Sequence, residues 1–407
     1  MKIFKLFITR IFLRRAILSV SVLGLVFIAN YISFISARSI FSTLEGYREV
    51  KCINQEGNFV ANLDPDSDIN MDVITDEKAQ IVYSFLADKF KYAFCIDGFV
   101  IDLPNDDGMD ISLSYMNEEY YKIKQFELLD GEDLDFGYQL DKDESIPVLV
   151  GNGLSKKYPV GSLIKIKEPA LEKTVTLKVK GVLKQNLYRP NFYLLNSKQY
   201  YNFSIFLPVN NEFIEHSNTN LTLNGLMDLI VLETNQEKIM DLKKVIHDNL
   251  DLKFNFHSQK ENLEYFNEYF FSSLKFISLI TVILLIVITC ISLWSALVGI
   301  RLMLRDFTIN FLVGLSYSGL RKIFYIYYGI LFFIDLIIIF LITASSRYKH
   351  WLNKEAYFAT YGTFGLVSID WFALLAVVFF DIIIGIIIVE TIISRVKKVP
   401  ISLGVLQ

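Results

Sequence analysis

The pattern that most constrains this chain is a pair of long apolar runs joined by a basic turn. Residues 276–300 are 25 residues without a charged side chain, and residues 323–344 are 22 residues whose one charge is Asp335. A helix needs about 20 predominantly apolar residues to cross a bilayer, so both runs predict membrane spans. Residues 301–322 between them hold four basic residues against one acid, which predicts that this turn faces the cytoplasm.

Two further runs predict spans on either side of this hairpin. Residues 16–35 are 20 residues without a charge, and residues 371–393 are apolar apart from Asp381 and Glu390. Five basic residues precede the first of these spans and three follow the last. Together with the basic turn they predict that both termini are cytoplasmic.

The first span could also be read as a cleaved signal peptide, because it follows a basic start. Its apolar core is longer than the usual 7–15 residues, and Ile35 stands where a cleavage site needs a small residue. We therefore expect an uncleaved anchor.

Charge is distributed unevenly between the spans and the long segment at 36–275. The chain is 53% hydrophobic, as expected for spans combined with a sizeable aqueous domain. Residues 36–275 hold 38 acidic and 25 basic residues. This excess of acids argues against nucleic acid as a partner, because phosphate would be repelled.

The predicted fold class is therefore a membrane α-helical protein with four transmembrane helices and a large extracytoplasmic α/β (α+β) domain inserted between helices 1 and 2. The predicted segments are a cytoplasmic N-terminal segment (1–15), four spans (16–35, 276–300, 323–344 and 371–393), an outer domain with stalk helices (36–275), a cytoplasmic coupling turn (301–322), an outer loop (345–370) and a cytoplasmic tail (394–407).

Hydrophobic periodicity gives a coarse view of the outer domain. We predict helices at 75–90, with Ile81, Phe85 and Leu86 on the buried face, and at 236–250. Predicted strands are 50–53, 91–103, 110–115, 146–150, 163–167, 174–182, 192–195 and 226–233. A β-rich insertion at about 126–225 would then interrupt a β-α-β framework. Apolar helical faces in 36–48 and 258–275 predict two extensions of the spans that pair as a stalk.

The sequence lacks the motifs that would indicate a phosphate-binding, metal-binding or hydrolase site. It contains no Walker phosphate loop, no clustered metal-ligand spacing and no G-x-S-x-G elbow. We expect no catalytic residues and no metal site, and we interpret the acidic residues at 64–68 as a solvated loop. The chain is therefore predicted not to be an enzyme.

Two pairs of residues leave alternatives open. Cys52 and Cys95 lie in the predicted outer domain, where either a disulfide or two buried thiols would be compatible with the compartment. Asp335 and Asp381 lie near the middle of opposed spans, where a charge is costly. They predict either protonated side chains that form hydrogen bonds across helices, or a proton or conformational relay.

Two sets of motifs resemble one family. Residues 146–154, 158–166 and 179–183 look like the outer domain of MacB-type permeases. The turn from Arg305 through Ser316 resembles the FtsX-type membrane signature, in which an acid follows a basic residue and a Gly-small-Ser turn comes later. Asp306 stands where the family usually has Glu, Thr308 replaces the usual Gly, and Phe311 replaces a usual basic residue.

This resemblance implies the permease subunit of an ABC-type mechanotransmission complex in a bacterial plasma membrane. The implied partners are two copies of a separate ABC ATPase, which carries the ATP and Mg, and a second permease copy or paralogue. Membrane lipids and an extracytoplasmic adaptor or lipoprotein are further implied partners. Such machines export or extract a peptide, drug or lipoprotein. The alternatives are an FtsX-like regulator that activates a cell-wall hydrolase, and a stand-alone membrane sensor.

The basic turn is the predicted site of ATPase coupling. Helical spacing puts Leu304, Phe307, Phe311 and Leu315 on one face and Arg301 and Arg305 on another side. Such a short amphipathic helix would fit a groove in a partner, with Phe307 and Phe311 inserted; the alternative is a helix lying on lipid headgroups. The predicted coupling residues are Arg301, Leu304, Arg305, Asp306, Phe307, Phe311, Gly314, Leu315 and Ser316.

Overall fold

The structure is a computed structural model that describes residues 16–67, 74–105, 107–189, 191–192, 194–233 and 235–398. Within these ranges, the side chains of residues 16–19, 300, 302–304 and 306 are not described. The helices are α1 (Ala16–Lys51), α2 (Asp76–Lys89), α3 (Glu118–Lys124), α4 (Asn211–Glu215), α5 (Thr219–Met227), α6 (Gln236–Leu250), α7 (Gln259–Tyr265), α8 (Ser272–Leu312), α9 (Tyr317–Leu352) and α10 (Ser368–Lys397).

The strands are short and alternate with the smaller helices. They are β1 (Asn58–Leu63), β2 (Lys91–Ala93), β3 (Cys95–Ile101), β4 (Ile111–Met116), β5 (Leu128–Gly131), β6 (Ile146–Val150), β7 (Leu163–Glu168), β8 (Lys173–Leu183), β9 (Tyr188–Arg189), β10 (Gln199–Tyr200), β11 (Ser204–Pro208), β12 (Ile230–Leu232) and β13 (Phe254–Ser258).

The chain divides into two compact units. A helical unit comprises Met1–Ser42, Ser272–Ser346 and Ser368–Gln407, and an α/β unit comprises Thr43–Phe271 and Arg347–Val367. Four helices in the described part of the chain are long and apolar enough to span a membrane. They are α1, α8 with the residues just before it, α9 and α10, as the sequence predicted.

The first sheet of the α/β unit contains parts of two predicted strands, in β2 and β12, and two strands that the sequence did not predict, β1 and β13. Its strand order is β13-β1-β12-β2, with antiparallel pairing throughout. Helix α2 is capped by Thr75 and buries Val82, Tyr83 and Leu86. Helix α6 has the predicted bounds, because its apolar residues recur at helical spacing behind the capping residue Asn235.

The second sheet holds most of the predicted insertion. Its order is β3-β4-β11-β6-β8-β5, with β7 paired to β8. The pairs β4–β11 and β6–β8 are parallel, and every residue of β4, β6 and β11 is buried. Strands covered on both faces appear in a sequence as continuous apolar runs, which is why 146–150 was recognisable.

Several local predictions were wrong. The predicted strand at 50–53 is the end of α1 followed by a turn, because the helix continues to Lys51. The predicted strand at 226–233 begins inside α5, and pairing starts only at Ile230. On α2 the side chain of Ile81 is 52% exposed, because Val82 and Tyr83 lie on the buried face instead.

The predicted strand at 192–195 was also wrong where the structure describes it. Residues 194 and 195 are not in a strand, and the short pair β9–β10 flanks this segment instead. Residue 193 lies outside the described residues.

Candidate functional site

The turn between α8 and α9 is shorter than the sequence predicted. Helix α8 continues without a break through the predicted amphipathic segment and ends at Leu312. Gly314 has a φ of +102°, a conformation that a side chain would strain. The Ser316 hydroxyl then accepts a hydrogen bond from the Gly319 backbone N–H at 3.1 Å, which satisfies one free donor at the start of α9.

The aromatic residues of this turn pack inward. The side chain of Phe307 is 1% exposed, and its ring meets Phe324 of α9 edge to face at a centroid distance of 5.9 Å. Phe311 packs on Tyr317 at 4.8 Å. The prediction that Phe307 inserts into a partner was therefore wrong, since the unbroken α8 turns this face towards α9.

Two exposed apolar residues lie at the tip of the turn. The side chains of Leu312 and Val313 are 65% and 83% exposed. Arg301 and Arg305 are also exposed, while Leu315 is half-buried against the core of the helical unit. The side chains of Leu304 and Asp306 lie outside those that the structure describes.

A polar contact that the sequence did not reveal joins α9 to α10 near this turn. The Arg321 guanidinium contacts the Glu390 carboxylate at 3.0 Å, and the Tyr325 hydroxyl donates to the same carboxylate at 3.0 Å. Both charged side chains are partly exposed, so the ion pair adds little stability by itself.

The intramembrane carboxyls are buried in the helical unit. The side chain of Asp335 is fully buried and that of Asp381 is 6% exposed, and the two are close enough to interact electrostatically. Neither oxygen of Asp335 has a hydrogen-bond partner among the described residues. The predicted hydrogen bond from Asp335 across helices is therefore not found among the described residues.

A third buried polar residue lies in the first span. Asn30 of α1 is fully buried, and its side chain lies close enough to the Asp381 carboxyl to act on it as a hydrogen-bond donor. Its interaction with Asp381 places it beside the carboxyls. This residue could have been found from the sequence, because Asn30 is an amide in the middle of an apolar run. Near the other end of that run, Arg38 forms an ion pair of 2.8 Å with buried Asp370 of α10.

The stalk, defined here as residues 43–51 of α1 and the π-helical turn Phe266–Phe271, belongs to the α/β unit. The Tyr47 ring packs edge to face on Phe266 and Phe271 at 5.9 and 5.0 Å. A Cβ atom on Gly46 would lie 1.8 Å from the Leu195 carbonyl oxygen. Only glycine therefore allows α1 to approach this loop so closely.

The connection between α9 and α10 folds onto the α/β unit. The Asn202 side chain donates to the Ala359 carbonyl at 2.9 Å, and the Tyr200 N–H donates to the Tyr357 carbonyl at 2.7 Å. Asn186 both donates to the Tyr361 carbonyl at 2.6 Å and accepts from its N–H at 2.8 Å. The predicted outer loop is thus an ordered part of this unit.

A partly buried ion-pair cluster centres on Arg189. Its guanidinium contacts Asp97 at 3.3 Å and Asp228 at 2.7 Å. Burial opposes the positive charge, but the two carboxylates outweigh it and hold the pKa of Arg189 well above its usual value. Sequence reasoning missed this cluster, because its members are far apart in the chain and have no common pattern.

The two cysteines of the α/β unit are free thiols. The Cys52 thiol donates to the Glu49 carbonyl at 2.8 Å, and Cys95 is buried. Burial raises the pKa of both thiols, which makes them poorly reactive. The structure therefore has two thiols and not the disulfide that the sequence left open.

The described residues contain no group of three or more His, Cys, Asp or Glu side chains that could hold a metal ion. A scan against models of protein families gives no match. A search of curated proteins gives none either.

Solved structures match about half of the chain. One is the extracellular domain of the noncanonic ABC-type transporter YknZ from Gram-positive bacteria, at 14% identity and a TM-score of 0.31, covering 49% of this chain and all of that one. Another is the periplasmic region of MacB from Actinobacillus actinomycetemcomitans, at 10% identity and a TM-score of 0.34, covering 55% of this chain and 98% of that one.

A third match is a domain of a putative permease protein from Porphyromonas gingivalis. It is 11% identical, with a TM-score of 0.27, and the alignment covers 50% of this chain and 90% of that one.

Proposed function

We propose that this chain is the permease subunit of an ABC-type mechanotransmission complex in a bacterial plasma membrane. The α/β unit lies outside the cell and both termini lie in the cytoplasm. The placement of basic residues around the four spans supports this orientation. The MacB-like and FtsX-like motifs support the family.

One observation carries the proposal: two helices contain residues of both units without a break. Helix α1 runs to Lys51 although the helical unit ends at Ser42 on this side, and α9 runs to Leu352 although that unit ends at Ser346. A displacement along such a helix moves every residue in it, because all its peptide groups are joined by hydrogen bonds. The helices thereby relay motion from the membrane to the outer unit.

The motion originates in a separate ATPase that binds the cytoplasmic turn. Leu312 and Val313 supply exposed apolar contact at the tip, and Arg301 and Arg305 supply charge on the preceding turns of α8. ATP and Mg belong to that partner, which is present in two copies with two permease chains. The work done on the outer side is export or extraction of a peptide, drug or lipoprotein, as the sequence resemblance implies.

The test is co-purification with the Walker-motif ATPase encoded beside the gene. Exposed apolar anchors at an interface usually carry a few kcal/mol, so Leu312→Ala with Val313→Ala is expected to release the ATPase while the permease stays folded. Tyr348→Ala with Leu352→Ala, equally exposed at the other end of α9, is the matched control and should keep it. Unchanged association in the first variant, or the absence of such an ATPase gene, contradicts the proposal.

A further inference from the structure

A cavity of about 340 Å³ lies between α9 and α10 inside the helical unit. Its volume falls within the range of roughly 300–1,000 Å³ found for small-molecule sites. Aromatic side chains of α9 form much of its wall, and Asp381 of α10 is the charged residue in it. The aromatic residues are Tyr325, Tyr328, Phe332 and Phe333.

Asp381 faces this cavity with unused hydrogen-bonding capacity. Its side chain is 6% exposed, and its Oδ1 atom has no hydrogen-bond partner among the described residues. The nearby Asp335 adds a second acid. A buried carboxyl without a cation is costly in a membrane, so an incoming positive charge gains stabilisation here that an apolar ligand would not.

The aromatic wall favours the same kind of ligand. The faces of tyrosine and phenylalanine rings attract cations within about 6 Å, and their apolar surface accommodates a hydrocarbon body. A Cβ on Gly385 would lie 3.0 Å from the Phe332 ring, so glycine at this position lets the ring pack closely against α10. Charge and shape are thus complementary to one class of molecule.

We propose that this cavity binds a lipophilic monocation: an amine attached to an apolar body, which enters from the bilayer. The same ion pair forms by two routes. An ammonium can enter and meet the carboxylate, or a neutral amine can enter and take the proton of the carboxylic acid. The charges balance in either case. An anionic lipid headgroup is repelled by Asp381, and a neutral acyl chain leaves its Oδ1 atom without a partner among the described residues. This site is independent of the proposed coupling to an ATPase.

The test uses the full chain in nanodiscs of zwitterionic phosphatidylcholine, with dansylcadaverine as a fluorescent amine probe and its N-acetyl derivative as the neutral analogue. We expect saturable binding of the amine, and binding weaker by about tenfold to a hundredfold for the neutral analogue, as for loss of a hydrogen bond to a charged group. Asp381→Asn is expected to bring the affinity for the amine down to that of the analogue.

Two glycine variants distinguish binding of the probes in the cavity from their nonspecific partition into lipid. No atom lies within 4 Å of a Cβ on Gly329, which lines the cavity, or on Gly24 of α1. Gly329→Leu fills the cavity and should abolish saturable binding of both probes, while Gly24→Leu should leave it unchanged. Equal binding of amine and analogue to the unaltered chain overturns the proposal, as does binding that survives Gly329→Leu. Self-association lost in Gly329→Leu would instead assign the cavity to a second copy and also overturn it.

Discussion

At the scale of single residues, Glu168 and Asp335 are two buried carboxyls with different surroundings. Glu168 at the end of β7 is buried and accepts hydrogen bonds from the Tyr115 hydroxyl and from the backbone N–H groups of Ala170 and Leu171. Asp335 is buried without any partner among the described residues. Glu168 therefore organises the sheet edge around it, whereas Asp335 contributes no contact that stabilises the fold.

Glu168→Gln is expected to destabilise the chain by about 1–3 kcal/mol, because the amide nitrogen cannot accept a hydrogen bond from the donors around it. Burial raises the pKa of Glu168 above 4.5, so the folded state binds its proton more tightly than the unfolded state does. The bound proton makes its full contribution to the free energy of unfolding below about pH 4.5. That contribution is lost as the pH rises through the pKa of Glu168 in the folded state.

Thermal unfolding of the purified chain, measured from about pH 4.5 to 7, checks both parts of this prediction. As the pH rises, the unfolding midpoint of the wild-type chain should fall relative to that of the Glu168→Gln variant, which has no proton to lose at this position. The difference between the two proteins should therefore be largest at the acid end. A difference that grows towards pH 7 would mean that the ionised carboxylate is the stabilising form.

Asp335→Leu is expected to keep or raise the thermal unfolding midpoint, because it replaces an unpartnered buried carboxyl with an apolar group of similar size. Asp335→Asn is the control and should not raise the midpoint, since its amide is also left without partners. A large loss of folded protein in Asp335→Leu would contradict this account. It would show that the carboxyl forms a hydrogen bond that stabilises the helices.

At the scale of elements, α1 shows how one helix meets two environments. A Cβ atom added to Gly24 would have open space around it, while one added to Gly46 would lie 1.8 Å from the Leu195 carbonyl oxygen. Gly24→Ala is expected to stabilise the helix by about 0.5–1 kcal/mol through helix propensity. Gly46→Ala should instead destabilise by about 1–3 kcal/mol, because α1 and the loop must separate.

Thermal unfolding together with hydrogen exchange in the stalk distinguishes the two glycine variants. Faster exchange near Leu195 and Phe266 is expected in Gly46→Ala and not in Gly24→Ala. If both variants behave alike, the close approach of α1 to this loop does not hold the stalk together.

Elements with a local signal were predictable from sequence. The four spans follow from apolar length, and α6 follows from its capping residue and helical periodicity. The ordered connection between α9 and α10 was not predictable, because it rests on Asn186 and Asn202, which are far away in sequence. The inward packing of Phe307 was missed for a related reason, since the end of α8 depends on contacts with α9.

At the scale of the whole molecule, the central claim is that nucleotide-driven motion at the cytoplasmic turn reaches the α/β unit through continuous helices. The most direct measurement is hydrogen exchange in the π-helical turn Phe266–Phe271, with the permease and its ATPase reconstituted in nanodiscs. A non-hydrolysable ATP analogue should change the exchange rate there. The change should vanish in the Leu312→Ala, Val313→Ala variant. Exchange in this turn that is identical with and without nucleotide, in a complex whose ATPase is bound, would contradict the account.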